Sequence, residues 1–166
     1  MIEVTLETIQ MSLMSPNRIA VLKEVGQERY LPIRIGPCEA ESIAVCVNRI
    51  KTPRPLTHDL VIQILDTLGA DLIYILISDL IETTFHARLF LETSGMEFEI
   101  DSRSSDAIAL AVRVDAPIFV ADHVMAQAGV VPEQEVDMET HEPRETLEVF
   151  RDYLESIDNK DEKSDS

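Results

Sequence analysis

The chain opens on a strict alternation, with Ile2, Val4 and Leu6 set against Glu3, Thr5 and Glu7. Successive side chains of a strand point to opposite faces, so this period-two pattern describes an extended segment with one wet face. The phase slips and resumes at Ile9, Met11 and Leu13, as a bulge produces. Ser15-Pro16-Asn17 then makes a turn into the run Ile19 to Val25, and Gly26-Gln27-Glu28 makes another into Tyr30 to Ile35. Turns this short leave no room for a crossover helix, so the three runs are expected to pair as an antiparallel meander. An all-helical fold is thereby excluded.

Helical periods follow. Gly36-Pro37 stops the third strand and opens a helix, since proline suits a first turn. Ala40, Ile43, Ala44 and Val47 fall on one face of it. Lys51-Thr52-Pro53-Arg54-Pro55 reads as a stiff extended loop, because each proline bars helix in the residue before it. Thr57 is the expected N-cap of a second helix, with Leu60, Val61, Ile64, Leu65 and Leu68 on its apolar face and Gly69 as its stop. Three more strands are expected near Asp71–Ile81, Thr84–Glu92 and Met96–Ile100. Ser104 or Ser105 then caps a small-residue helix over Asp106–Val114. Pro117–Val120 reads as a short buried strand and His123–Ala128 as a last helical turn.

The sum is an α+β fold: a single domain with a mixed, largely antiparallel sheet of about seven strands and three to four helices. Composition changes after Gly129. The expected organisation is a domain over 1–131, an acidic linker over 132–142, an amphipathic acidic helix over 143–158 and a disordered tail over 159–166. Leu147, Phe150, Leu154 and Ile157 form the stripe of that C-terminal helix. Meander edges left open call for cover, which points to a homodimer.

Several classes are disfavoured. Met1-Ile2-Glu3-Val4 lacks a basic segment ahead of an apolar run, so no signal peptide is expected. The run Leu72–Ile77 is far short of the ~20 residues that span a bilayer. A cytoplasmic protein without membrane attachment is the expectation. Cys38 and Cys46 lie eight residues apart in one helix, about 12 Å by helical rise, which is too far for a mutual disulfide; both are read as packing residues. Walker, Rossmann, nucleophile-elbow and HExxH patterns are all missing. Charge weighs against a nucleic-acid partner. Residues 1–135 carry 20 acidic and 10 basic side chains and residues 136–166 carry 11 and 4, for a net charge of −17. So negative a chain repels polyanions at long range, and any such partner must be held by a local basic patch or by metal ions.

Two stretches nevertheless combine ionisable groups with helix starts: Pro53-Arg54-Pro55-Leu56-Thr57-His58-Asp59 and Asp101-Ser102-Arg103-Ser104-Ser105-Asp106. Each sets an arginine ahead of a helix N-terminus, where free N–H groups and the helix dipole favour an anion and guanidinium grips phosphate. Arg54, Arg103, Thr57 and Ser105 are the candidates for holding a phosphodiester. His58, Asp59, Asp101 and Asp106 are the candidates for acid–base work, His58 because imidazole titrates near neutral pH. Asp101 and Asp106 could also hold a divalent metal such as Mg2+. The bland alternative is that Asp59 and Asp106 serve their helix dipoles, that Arg54 and Arg103 pair with them, and that Thr57 and Ser105 are caps. His86, amid Thr84-Phe85-Ala87, is assigned a packing or cross-strand role.

Four ordered blocks carry a resemblance. Leu31-Pro32-Ile33-Arg34-Ile35-Gly36 with Glu39-Ala40, Pro53-Arg54-Pro55-Leu56-Thr57-His58-Asp59-Leu60, Thr84-Phe85-His86-Ala87-Arg88-Leu89, and Ile100 to Ala111 followed by Pro117-Ile118-Phe119-Val120 resemble the bifunctional nuclease domain family. They span roughly residues 2–130. Ser104 stands where proline is expected, His86 where tyrosine is usual and Arg34 where an aromatic is frequent. The resemblance implies an α+β fold, a homodimer, and hydrolysis of DNA and RNA. The competing expectation is a non-enzymatic dimeric module for a small anionic ligand or a protein partner.

Overall fold

The computed structural model describes residues 1–11 and 18–132. The linker, helix and tail expected beyond residue 132 therefore lie outside the described residues, as do Leu13 and the turn expected at Ser15-Pro16-Asn17. The described elements run β1 (Ile2–Met11), β2 (Arg18–Glu24), β3 (Tyr30–Ile35), α1 (Pro37–Val47), α2 (Thr57–Leu68), β4 (Ala70–Ile81), β5 (Thr84–Thr93), β6 (Met96–Arg103), α3 (Ser104–Val114), β7 (Ile118–Val120) and α4 (Asp122–Ala128). The α+β expectation holds.

All seven strands join one mixed sheet in the order β3-β2-β1-β7-β4-β5-β6. It is built from two antiparallel meanders. β1, β2 and β3 form the first, and the register slip between Leu6 and Thr8 is the bulge legible in the opening alternation. β4, β5 and β6 form the second, closed by the tight turn at Gly95 (φ +75). The three-residue β7 stitches them together, antiparallel to β1 and parallel to β4. Its Ile118 and Val120 enter the core, while Phe119 meets Tyr74 edge-on across the other face, where Tyr74 also stacks on Phe90 at 4.2 Å.

Helices α1, α2 and α3 pack together, with α3 against β4 and β5. Ala107, Ala109 and Ala111 let α3 lie close, and seven of its residues are buried. The absence of large side chains brings its backbone near the sheet, and Ile108 and Leu110 fill the remaining space. The core joins these to Ile75 and Ile77 of β4 and to Leu22, Leu31 and Ile33 of the first meander.

Several expectations require correction. The N-cap of α2 is Leu56, not Thr57, and that of α3 is Arg103, not Ser104 or Ser105; neither makes a side-chain cap. Cross-strand pairing carries β6 three residues beyond the expected Ile100, with Asp101, Ser102 and Arg103 opposite Arg88, Ala87 and His86 of β5. α3 follows at once from Ser104, two residues ahead of the expected Asp106. On α1, Ala40 and Ile43 are buried as expected, yet Val47 is exposed. On α2 no residue is buried: Val61, Ile62 and Leu65 turn half inward, and Leu60, Ile64 and Leu68 face out. Cys38 is exposed rather than packed, while Cys46 is half-buried with its thiol toward the Val112 carbonyl. No helix among the described residues is long and apolar enough to cross a membrane.

Candidate functional site

Three helix starts meet at one end of the helical layer. Cys38 and Glu39 from α1, Leu56, Thr57 and His58 from α2, and Arg103 and Asp106 from α3 line one cleft of about 690 Å3, together with Glu41, Ser42, Val45, Thr52, Val61 and Leu110. Each start carries unsatisfied N–H groups and a partial positive charge of about +0.5 from its aligned peptide dipoles. The sequence prepares each one differently. Pro37 supplies a first-turn residue without an N–H, and a Cβ at Gly36 would collide with the Glu39 carboxylate, which folds back over the α1 start. Asp59 accepts the Leu56 amide at 2.8 Å. Asp106 lies in the first turn of α3.

A chain of charged and polar groups runs through the cleft wall. Arg103 donates to both oxygens of Asp106, from Nε at 2.6 Å and from Nη2 at 3.0 Å, and Nη2 also reaches Glu39 at 2.7 Å. His58 lies behind them, its side chain only 12% exposed, with Nε2 3.1 Å from Asp106 Oδ1 and Nδ1 2.8 Å from Ser42 Oγ. Arg113, only 6% exposed, closes the chain: Nη2 donates to Ser42 Oγ at 2.8 Å and to the Ser42 carbonyl at 3.2 Å, Nη1 to the Ala109 carbonyl at 2.7 Å, and Nε to Asp59 at 2.7 Å. One guanidinium thus ties α1, α2 and α3 together beneath the cleft.

These contacts set protonation. Burial pushes the Asp106 carboxyl up, but hydrogen bonds from Arg103 and His58 outweigh it and hold the group below the usual carboxylate range. Asp59 is held low in the same way: burial opposes, and the Leu56 amide and Arg113 prevail. Both are therefore acceptor-only carboxylates at neutral pH. The Arg103 guanidinium is held charged by Asp106 and then Glu39.

Of the residues singled out from sequence, the cleft collects Thr57, His58, Arg103 and Asp106. Asp59 sits just behind, committed to Leu56 and Arg113. Arg54 is exposed and does not line the cleft, Ser105 is buried, and Asp101 is exposed on β6 opposite Arg88. Asp101 and Asp106 therefore do not form a metal pair. Both Asp106 oxygens already accept from Arg103, and no group of three His, Cys, Asp or Glu among the described residues is arranged to hold a metal ion. The donor set as folded does not fit Mg2+, which asks for near-ideal octahedral oxygen ligation. His86 does take a cross-strand position, between Asp79 and Arg103. Sequence reasoning missed Ser42 and Arg113. The available signal was Arg113 itself, a lone cation in the apolar run Ala107–Val114.

Fold and cleft together define a small α+β domain with a histidine–carboxylate–arginine cluster at converging helix starts. Residues 20–133 match the family profile described as Bifunctional nuclease domain. An uncharacterized protein of Mycobacterium tuberculosis is 38% identical over 148 residues, 88% of this chain and 88% of that one. Bifunctional nuclease 1 of Oryza sativa subsp. indica is 27% identical over 131 residues, 76% of this chain and 40% of the plant protein. Bifunctional nuclease 2 of Oryza sativa subsp. japonica is 31% identical over 120 residues, 70% of this chain and 37% of its own. The chain belongs to the bifunctional nuclease domain family.

Proposed function

We propose that this protein hydrolyses phosphodiester bonds of DNA and RNA in the cleft where α1, α2 and α3 begin. The observation that carries the reading is the convergence of three helix starts on Arg103, Asp106 and His58. Backbone N–H groups and one solvent-facing guanidinium suit a phosphate, and they supply positive potential in a chain whose net charge is −17. Arg103 is 68% exposed, and in this reading a phosphate oxygen replaces Asp106 and Glu39 as the partner of its guanidinium. That movement also removes the largest influence holding Asp106 low. Substrate binding thereby makes Asp106 a better base for the proton of an attacking water, with His58 fixing the carboxylate from behind. As the water oxygen bonds to phosphorus the P–O bond to one sugar oxygen breaks, solvent protonates that oxygen, and Arg103 stabilises charge on the phosphorane-like transition state. In this role His58 orients the base, because both of its ring nitrogens are already engaged.

A homodimer belongs to the same proposal. Leu60, Ile64 and Leu68 of α2 are exposed, as are Met96, Phe98 and Ile100 of the edge strand β6. Glu97, Glu99 and Asp101 alternate with them and discourage edge-to-edge strand pairing, so a second copy is expected to pack on the apolar face.

The test is cleavage of labelled single-stranded DNA and RNA, with and without EDTA. Arg103→Ala and Asp106→Asn are expected to lose roughly 100-fold or more. Asp101→Ala, outside the cleft, is expected to keep wild-type activity. Equal loss in all three, or in none, would overturn the assignment. A second reading is a dimeric module that binds an anionic ligand or a protein without cleaving. Its protein-partner form is favoured by the cleft's own acids, since Glu39, Glu41 and Asp106 outnumber Arg103 and repel an anion. Binding of an oligonucleotide without turnover would select it.

A further inference from the structure

We infer that Ser42 and Arg113 are positioning residues that hold His58 in the tautomer carrying its proton on Nε2. The inference deepens the reading of the cleft as the reacting site, and rests on it only in giving that tautomer a use. Asp106 is acceptor-only when ionised, so the 3.1 Å contact from His58 Nε2 requires a proton on that nitrogen. In the neutral ring Nδ1 is then a bare lone pair, 2.8 Å from Ser42 Oγ. A serine hydroxyl has one proton and two acceptor sites, and Arg113 can only donate. With Arg113 Nη2 on one acceptor site at 2.8 Å, the hydroxyl proton is left to point at Nδ1.

The direction of every bond follows from the guanidinium outward: Arg113 to Ser42, Ser42 to His58, His58 to Asp106. Were Nδ1 to carry the proton instead, Ser42 Oγ would face two donors and its own proton would lose its partner, inside a wall where Ser42 is 6% exposed. Asp59 completes the array by fixing Arg113 from the far side at 2.7 Å, while the carbonyls of Ser42 and Ala109 take two of its other three donors. The sequence consequence is that a buried serine in the middle of α1 and a buried arginine at the end of α3 act together on a histidine of α2. Neither Ser42 nor Arg113 touches substrate in this scheme. Their effect reaches Asp106 through the His58 ring, which keeps the carboxylate aimed when Arg103 leaves.

The test reads the ring directly, in protein labelled with 15N at histidine, over a pH series that ends on the plateau where the 15N shifts show a singly protonated ring. His58 is expected to show a protonated Nε2 and a hydrogen-bonded, unprotonated Nδ1. In Ser42→Ala the Nδ1 resonance is expected to move to its unbonded position. In the cleavage assay kcat is expected to fall roughly 10–100-fold, the range for outer partners that orient an imidazole, with KM within about twofold. A wild-type Nδ1–H tautomer, or an Nδ1 resonance unmoved in a folded Ser42→Ala protein, would overturn the inference. So would an unchanged kcat in that variant beside an active wild type. Should wild type cleave nothing, the hydrolytic reading fails while the resonances still decide the tautomer. Arg113→Lys, which keeps the charge but loses the fork, is expected to give the same Nδ1 shift in smaller measure; thermal melting of each variant confirms folding.

Discussion

Helices α2 and α3 lie side by side, are nearly equal in length at 12 and 11 residues, and both carry apolar stripes, yet they are used oppositely. α3 buries seven residues against the sheet, and α2 buries none. The difference lies in side-chain size. Alanine-rich α3 fits directly onto β4 and β5, whereas Leu- and Ile-rich α2 rides outside it, anchored by Val61, Ile62 and Leu65 and by the ionic tie from Asp59 to Arg113. One helix is core. The other is a carrier that brings His58 to the cleft and offers Leu60, Ile64 and Leu68 outward.

The comparison breaks most easily in α3. Ile108→Ala removes a fully buried side chain and is expected to cost about 2–5 kcal/mol in urea unfolding, with a lower midpoint. Arg113→Met is expected to cost about 1–3 kcal/mol, because it strips partners from Asp59 and Ser42 rather than opening a cavity. Ile64→Ala on α2, at a position 49% exposed in the protomer, is expected to cost about 1 kcal/mol or less, the small remainder being contact with the second copy. A cost at position 64 equal to that at position 108 would erase the distinction. Under the proposed dimer, changing Leu60 and Ile64 together to glutamate is expected to leave the fold intact and lower the sedimenting mass to that of a monomer.

Acid sharpens the same contrast. Asp59 and Asp106 have folded pKa values below their unfolded ones, so they stabilise the fold fully above about pH 4 and lose that contribution as pH falls through the folded values. Melting temperature is expected to drop below that pH, and less steeply in Asp59→Asn. A profile flat from neutral pH to well below 4 would show that the α2–α3 tie is not maintained in solution.

The sheet was legible in the chain because period-two alternation and turn residues are local signals: β1 with its bulge, β2, β3 and the position of β7 all follow from them. The faces of α2 were not, because which stripe turns inward depends on where α3 lies. The end of β6 was misread for a related reason. Asp101, Ser102 and Arg103 look like turn residues, and cross-strand pairing with Arg88, Ala87 and His86 overrides that local preference. At the site, His58, Arg103 and Asp106 stood out as ionisable groups at helix starts. Ser42 and Arg113, 71 residues apart, gave no joint signal, because only the packing of α1 on α3 brings them together.

Amide chemical-shift mapping reads whether the three helix starts take a phosphodiester together, as proposed. Titrating a short single-stranded oligonucleotide into 15N-labelled protein is expected to move the first-turn amides of α1, α2 and α3 together, including Cys38, Glu39, His58 and Ser105. The same titration is expected to leave Asp101 and the aromatic face around Tyr74 in place. Shifts confined to that outer face, or to the groove between β1 and the far ends of α1 and α3, would contradict the account.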